Sequence, residues 1–219
     1  MKKALILLTL ASGLCSQAFA FEGNRGIAFG AGFGNFFEMY LQGGDANSYL
    51  GTPGFNFSSY NFSGGGDTGF FANALAVGVP VFHSATNNFE GSRLRLQTGL
   101  AVGIVNRRVI SDRLTALHGA GLNFTYYGFD RRGALPEHGA ALHYTTNLDF
   151  GIATDIGVIY RIGDRLFLYW GGVITTDFLR VRETGIETPE GRRIESNTGL
   201  VRGFLMVGAR PYLSFGFSF

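Results

Sequence analysis

The sequence predicts an all-β protein, a closed antiparallel eight-stranded transmembrane β-barrel, on three observations. From Val201 to Phe219 the odd positions are mostly apolar, and the even positions include Arg202, Arg210, Tyr212, Ser214, Gly216 and Ser218, which is the period-2 pattern of a strand with one apolar face. The chain contains 34 glycines and 22 phenylalanines, which suit strands better than helices. After residue 20 no apolar run approaches the roughly 20 residues that a membrane-spanning helix needs.

The first 20 residues have the pattern of a secretory signal peptide. Lys2 and Lys3 form the charged start, residues 4–14 are apolar, and Ala18-Phe19-Ala20 fits a small-x-small cleavage site. We therefore expect residues 1–20 to be cleaved and residues 21–219 to form the barrel. Cys15 leaves a second interpretation open, a lipidated cysteine, although Leu14 precedes it where a small residue is usual. Cleavage after Ala20 would leave no cysteine for disulfide or thiolate chemistry.

The charge balance argues against nucleic acid as a partner. Both lysines of the chain lie in the signal peptide, and the other 16 cationic residues are arginines, matched by 16 acidic residues. The predicted mature chain therefore has no formal net charge and no basic stripe.

The first four predicted strands are residues 26–41, 54–62, 69–82 and 92–105. The first alternates large apolar residues with Gly30, Gly32 and Gly34, which we interpret as room for bulky neighbours in a narrow tube. The second is the weakest prediction, because Ser58-Ser59 breaks its alternation. The third alternates large apolar residues with alanines, and the fourth alternates leucines with arginine, glutamine and glycine.

The last four predicted strands are residues 113–127, 146–162, 165–188 and 195–219. The fifth places Leu122 and Phe124 outward, and the sixth alternates outward apolar residues with inward charges. In the seventh, two sets of apolar residues compete for the outward face, and a β-bulge would resolve the conflict. The eighth is the terminal strand described above.

An even number of strands predicts that both chain ends lie in the periplasm. The short segments 63–67, 106–112 and 163–164 then become periplasmic turns. The segments 42–53, 83–91 and 129–145 and the tip at 189–191 become extracellular loops. Short turns inside and longer loops outside are typical of such barrels.

Charged residues on the inward faces are the candidate functional residues. The predicted lumen network consists of Glu38, Arg93, Arg95, Asp149, Asp155, Arg161, Arg202 and Arg210. Gln97 lies among them, and Arg180 and Arg182 are expected nearer the outer end. Charges of both signs in a narrow tube should pair, which predicts a plug of salt bridges. Because arginines outnumber acids, a charge-lined pore favouring anions stays open as the alternative.

Catalytic and metal sites find little support. His83, Ser84 and Glu90 share a predicted loop, but adjacent strand residues point to opposite faces, so His83 and Ser84 would not pair if the strand continued through them. His138 and His143 share a loop with Glu137, and no further ligand is evident. We therefore predict no enzymatic activity, no catalytic residue, no cofactor and no metal.

The signal pattern, the glycine-rich amphipathic strands and the ending 213–219 resemble the small outer-membrane barrels of the OmpA, OmpX and OmpW type. The resemblance implies that Leu213, Phe215, Phe217 and Phe219 form the signal read by the barrel-assembly machinery. It implies a bacterial outer-membrane location after export to the periplasm, with lipid and lipopolysaccharide around the barrel. Adhesion is linked to OmpX-type proteins, and passage of small hydrophobic compounds to OmpW-type proteins.

Two functions therefore stay open. The first is a structural or surface-interaction barrel whose loops contact a host or envelope ligand. The alternative is a narrow channel for small or hydrophobic solutes.

Overall fold

Strands make up nearly all of the chain that the computed structural model describes. The described residues are 25–34, 37–40, 52–62, 66–77, 92–135, 139–188, 193–202 and 205–219, so the predicted signal peptide lies outside them. Within these ranges no helix is long and apolar enough to cross a membrane.

One antiparallel sheet contains all the described strands. These are β1 (Arg25–Gly34), β2 (Phe37–Tyr40), β3 (Thr52–Phe62), β4 (Thr68–Val77), β5 (Ser92–Val109), β6 (Leu114–Leu135), β7 (Gly139–Arg161), β8 (Leu166–Glu187), β9 (Arg193–Val201) and β10 (Met206–Ser218).

A ring of backbone pairing runs through eight of these strands and confirms the predicted barrel. The ring follows the order β1, β3, β4, β5, β6, β7, β8 and β10, and it closes because β10 pairs with both β8 and β1. β2 continues the line of β1 along β10, and β9 runs along β8 beyond the segment that pairs with β10. The first and last of the eight predicted strands are thus each divided in two, and the count of eight is right for the ring.

Both described chain ends meet at one end of the barrel, which we call the turn end. The amide of Arg25 donates to the carbonyl of Phe219 at 3.1 Å, and the amide of Phe219 donates back at 3.0 Å. The predicted turn at 163–164 lies here, where the amides of Ile162 and Gly163 donate to the carbonyl of Leu166. The turn predicted at 106–112 is shorter than expected, since β5 continues to Val109 and only residues 110–113 turn.

At the opposite end, which we call the loop end, the predicted loop 129–145 is wrong. β6 and β7 pair without interruption from Phe129 opposite Thr145 to Leu135 opposite Gly139. Three charged residues follow one another in its sequence, Asp130, Arg131 and Arg132, so the apolar alternation that identified the other strands is missing. β6, β7 and β8 span 22, 23 and 22 residues, about twice the ~9–11 residues of a transmembrane strand. The loop-end parts of β6, β7 and β8, residues 129–135, 139–145 and 183–187, therefore form with β9 a sheet that projects beyond the membrane-spanning ring. We call this sheet the β6–β9 extension.

The facing of the strands agrees with a lipid-exposed exterior. On β10, Leu213, Phe215 and Phe217 are exposed while Tyr212 and Ser214 are buried. On β4 the larger apolar residues Phe71 and Leu75 face the lumen and are buried, while the alanines face out.

The two competing apolar sets of the seventh strand are separated by regular alternation, and the bulge in β8 lies beyond both of them. Near the turn end, Trp170 faces out, and Tyr169 faces in. Phe178 then has no partner in β7, since Asp177 pairs with Gly151 and Leu179 with Phe150. Beyond this extra residue the alternation shifts by one position, so Arg180 faces the lumen.

Candidate functional site

A layer of tyrosines around one carboxylate crosses the lumen on the turn-end side. The hydroxyl of Tyr212 donates to Oδ1 of Asp155 at 2.5 Å, and that of Tyr169 donates to Oδ2 at 3.0 Å. The two hydroxyls also contact each other, and the ring of Tyr60 packs edge-on against Tyr169 with centroids 4.9 Å apart. Both oxygens of the fully buried Asp155 carboxylate are therefore hydrogen-bonded to tyrosine hydroxyls.

An arginine spans the lumen in the next layer. Arg210 extends from β10 towards β5, which lies on the opposite side of the eight-strand ring. A Cβ atom added at Gly99 on β5 would overlap Nη1 of Arg210. The Nη2 atom donates to Oδ1 of Asn123 at 2.5 Å, and Nδ2 of Asn123 donates to Oδ1 of Asp177 at 2.7 Å. The amide of Asn123 therefore connects the cation to the carboxylate.

A direct salt bridge lies nearer the loop end. Nε of Arg180 donates to Oδ1 of Asp149 at 2.7 Å, and Nη2 donates to Oδ2 at 2.6 Å. Both side chains are buried, and the bidentate geometry is the strongest form of this pair. Further along, Nε of Arg182 donates to Oδ1 of Asn147 at 3.0 Å.

Neutral polar residues fill the side of the lumen next to β3. Asn56 and Asn73 each donate to Oγ of Ser58 at 2.9 Å, and Asn56 also reaches Oγ of Ser214 at 3.4 Å. All four residues are buried. The inward residues of β3 therefore change from polar (Asn56 and Ser58) to aromatic (Tyr60 and Phe62), which explains why β3 lacks a clear apolar alternation.

The predicted lumen residues fall into three groups. Asp149, Asp155 and Arg210 lie buried in the lumen, and Gln97 is buried as well. Only the main chain of Glu38, Arg93 and Arg95 is described, and Arg95 is an unpaired bulge residue between Leu94 and Leu96. Arg161 and Arg202 are exposed.

Two of these predictions need correction. Arg161 is on the inward face of β7 but at its very end, so it borders the mouth of the barrel rather than the buried network. Arg202 follows the end of β9 in a turn, so the alternation of the last strand does not carry through it.

Sequence reasoning missed the residues that bind the predicted charges. Asp177, Asn123, Tyr169 and Tyr212 are all part of the buried network. Asp177 was hidden by the uncertain facing of the seventh strand. Asn123 lies two residues before Thr125 on the inward face of β6, and that polar alternation was a signal that could have identified it.

Most of the catalytic and metal-site candidates lie outside the described residues, namely His83, Ser84, Glu90, Glu137 and His138. His143 is exposed on β7. Among the described residues, no group of three or more His, Cys, Asp or Glu side chains is arranged to hold a metal.

The mouth of the barrel at the turn end is an open cavity of about 540 Å³, which we call the turn-end vestibule. Apolar and polar residues both line it. The apolar ones include Phe62, Leu117, Ile159 and Phe167, and the arginines are Arg25, Arg107, Arg161 and Arg165. The guanidinium of Arg107 lies 4.7 Å from the ring centre of Phe62, and its Nε is 3.4 Å from Oδ1 of Asp67.

A second polar cluster lies on the outer face of the β6–β9 extension. Nη1 of Arg193 is 2.9 Å from Oε1 of Glu183, and the Arg193 guanidinium lies over the Tyr144 ring at 5.5 Å. The hydroxyl of Tyr144 donates to the same carboxylate at 3.2 Å. Burial, and after it the charge of Glu183, raises the pKa of Tyr144 above its usual value. Outward-facing charges of this kind mark a part of the sheet that is not in hydrocarbon.

Comparison with solved structures identifies the fold. A major outer membrane protein from Thermus thermophilus superposes with a TM-score of 0.62 at 9% identity, over 90% of this chain and 100% of that one. Neisserial surface protein A gives 0.46 at 13% identity over 90% and 100%, and the outer membrane protease OmpT from Escherichia coli gives 0.42 at 11% over 90% and 96%. Of these three, the Thermus structure exceeds 0.5, so it is the one that bears on the architecture.

A scan of protein-family models finds no match, and a search of curated protein sequences finds none either. The chain thus has the fold of the small outer-membrane β-barrel proteins, and the likeness reaches no further than the fold.

Proposed function

We propose that this protein is a structural and surface-interaction barrel of a bacterial outer membrane, with a plugged lumen and the β6–β9 extension exposed to the medium. The observation that carries the proposal is the side chain of Arg210, which reaches from β10 to the backbone of Gly99 on the opposite wall. With the tyrosine layer on one side and the Arg180–Asp149 pair on the other, side chains occupy successive levels of the lumen.

The orientation and the partners belong to the same proposal. After export to the periplasm, the turn end would face the periplasm and the extension the outside. Lipid and lipopolysaccharide would contact the exposed aromatic exterior. Leu213, Phe215, Phe217 and Phe219 are all exposed on the outward face of the last strand, where the barrel-assembly machinery could read them during insertion. A host or envelope ligand would bind the extension. We propose neither enzymatic activity nor nucleic-acid binding.

A narrow channel remains the second candidate, and one observation favours it. Nε2 of Gln97, Oδ2 of Asp177 and Nε of Arg210 are buried without a hydrogen-bond partner among the described residues. Buried polar atoms in this state usually bind water. A hydrated lumen would become a path if the Arg210 side chain moved off Gly99.

Single-channel recording in planar bilayers separates the two candidates. The wild-type protein should give no steady unitary steps, whereas the double variant Arg210→Ser/Tyr212→Ala, which shortens two lumen-crossing side chains, should give them. Arg193→Ser, a change of the same kind on the extension, is the control and should stay silent. Steady steps from the wild type would overturn the plug and support the channel.

A further inference from the structure

We propose that the turn-end vestibule binds a small amphiphilic anion, a molecule with a carboxylate or similar anionic group attached to a short apolar chain or ring. This site is separate from the buried lumen network and from the extension, and the proposal does not depend on either of the functions above.

The size of the vestibule and its closed inner end suit binding of a small ligand rather than its passage through the barrel. Its volume of about 540 Å³ lies in the range of small-molecule sites, ~300–1,000 Å³. The inner surface contains the buried side chains of Phe62, Leu117 and Phe167. Tyr60 borders the cavity and packs against Tyr169, so the tyrosine layer closes its inner end.

Positive charge predominates around the cavity, since Arg25, Arg107, Arg161 and Arg165 line it and one lining side chain among the described residues is acidic. Arg161 and Arg165 border the cavity and are exposed, and neither has a carboxylate within 4.0 Å in the part of the chain that the structure describes. Arg107 is held against Phe62 by Asp67, which fixes a third guanidinium at the junction between rim and floor. Among the described residues that line the cavity, Asp164 is the acidic one.

Arginine at the rim and apolar surface beneath it define the ligand chemistry. A guanidinium presents parallel N–H donors that match the two oxygens of a carboxylate. A purely inorganic anion would leave the apolar floor in contact with water, and a neutral apolar molecule would leave the arginines without a partner. An anion with a short apolar group satisfies both halves of the site at once.

The test uses the full barrel in nanodiscs of phosphatidylcholine, with 4-phenylbutyrate as the probe and titration calorimetry as the measurement. Wild-type protein should bind the probe, and the double variant Arg161→Gln/Arg165→Gln should bind it at least about tenfold more weakly. Arg108→Gln is the matched control, because Arg108 lies on the same strand end as Arg107 and does not border the cavity. Its affinity should stay within about twofold of wild type.

Two further ligands separate the halves of the site. Acetate carries the charge without the ring, and 4-phenylbutanol carries the ring without the charge, so both should bind much more weakly than 4-phenylbutyrate. No binding to wild type, equal binding to the double variant, or equal binding of either reference ligand would overturn the proposal. Repeating the titration in nanodiscs with phosphatidylglycerol identifies the source of the anion. If the difference between wild type and double variant disappears, a lipid headgroup occupies the site; if it persists, the ligand is a free anion.

Discussion

Gly99 is the residue at which the lumen closes, because the absence of a side chain on β5 leaves space for the guanidinium of Arg210 from the opposite wall. Gly157 on β7 likewise leaves space for Tyr169 of the neighbouring strand β8, whose Cε2 lies 2.5 Å from the position of an added Cβ. An eight-stranded barrel has an interior only wide enough for its own side chains. Long side chains on one wall therefore require glycine on another.

Substituting Gly99 by alanine should destabilise the barrel while Gly163→Ala should not. The added methyl group at position 99 overlaps the Arg210 guanidinium, and forcing a group into a packed interior costs about 1–3 kcal/mol. Nothing lies within 4 Å of a Cβ added at Gly163, so that variant is the matched control. Urea unfolding followed by the fluorescence of Trp170, the single tryptophan, measures both. Equal stability of the two variants would contradict a closed lumen at Arg210.

The charged residues also show what sequence could and could not predict at this scale. Alternation identified Asp149, Asp155 and Arg210 as inward, and they are buried. It did not identify their partners, and only Asp149 has the expected arginine. Asp155 is bound by tyrosines, and Asp177 is connected to Arg210 through Asn123. Which residues meet across a barrel depends on the stagger of the strands, and alternation along one strand carries no information on that stagger.

The facing of β8 changes along its length at the bulge. The extra residue Phe178 lets Asp177 and Arg180 both face the lumen although they are three positions apart. A regular strand would place one of them in lipid, where an outward charge is costly. The bulge therefore lets both charged side chains face the lumen while the outer face of β8 stays apolar.

Deleting Phe178 should leave the barrel folded, whereas deleting Thr176 should not. Without Phe178 the order Asp177, Leu179, Arg180 alternates in, out, in, so every remaining side chain keeps its face. We expect a change in the free energy of unfolding of less than about 2 kcal/mol. Without Thr176, Asp177 would turn to the lipid and Phe178 to the polar lumen, at a cost of more than about 3 kcal/mol. Circular dichroism and urea unfolding measure both, and a folded Thr176 deletion would argue against this facing of β8.

The strand predictions are more accurate for segments inside the membrane than for segments outside it. Within the membrane one face of each strand touches lipid and the other the lumen, so alternation predicted the turn-end limits of β7 and β10 within one residue. Outside the membrane water surrounds both faces, and the constraint disappears. For this reason the paired residues 129–135 of β6 were predicted to be a loop.

At the scale of the whole molecule, the ring and the β6–β9 extension are two parts with different requirements. The ring contains the buried hydrogen-bond network and the lipid-exposed apolar surface. The extension carries Glu183, Arg193 and Tyr144 on its outer face, and β9 is mostly exposed. Surface ion pairs such as Glu183–Arg193 contribute little to stability, about 0–1 kcal/mol. The free energy of unfolding should therefore come chiefly from the ring.

Shortening the β6–β7 hairpin tests this division. Replacing residues 131–143 by Asn-Gly joins the paired residues Asp130 and Tyr144 through a two-residue turn and removes two of the β7–β8 residue pairs, those of Leu142 and His143. The shortened protein should fold with a free energy of unfolding within about 1 kcal/mol of wild type. Replacing residues 124–150 in the same way removes Thr125 and Asp149 from the lumen and leaves Arg180 buried without its partner, so that variant should not form a barrel. Urea unfolding of both in detergent is the measurement. If the first replacement also prevented folding, the extension would be part of what stabilises the ring.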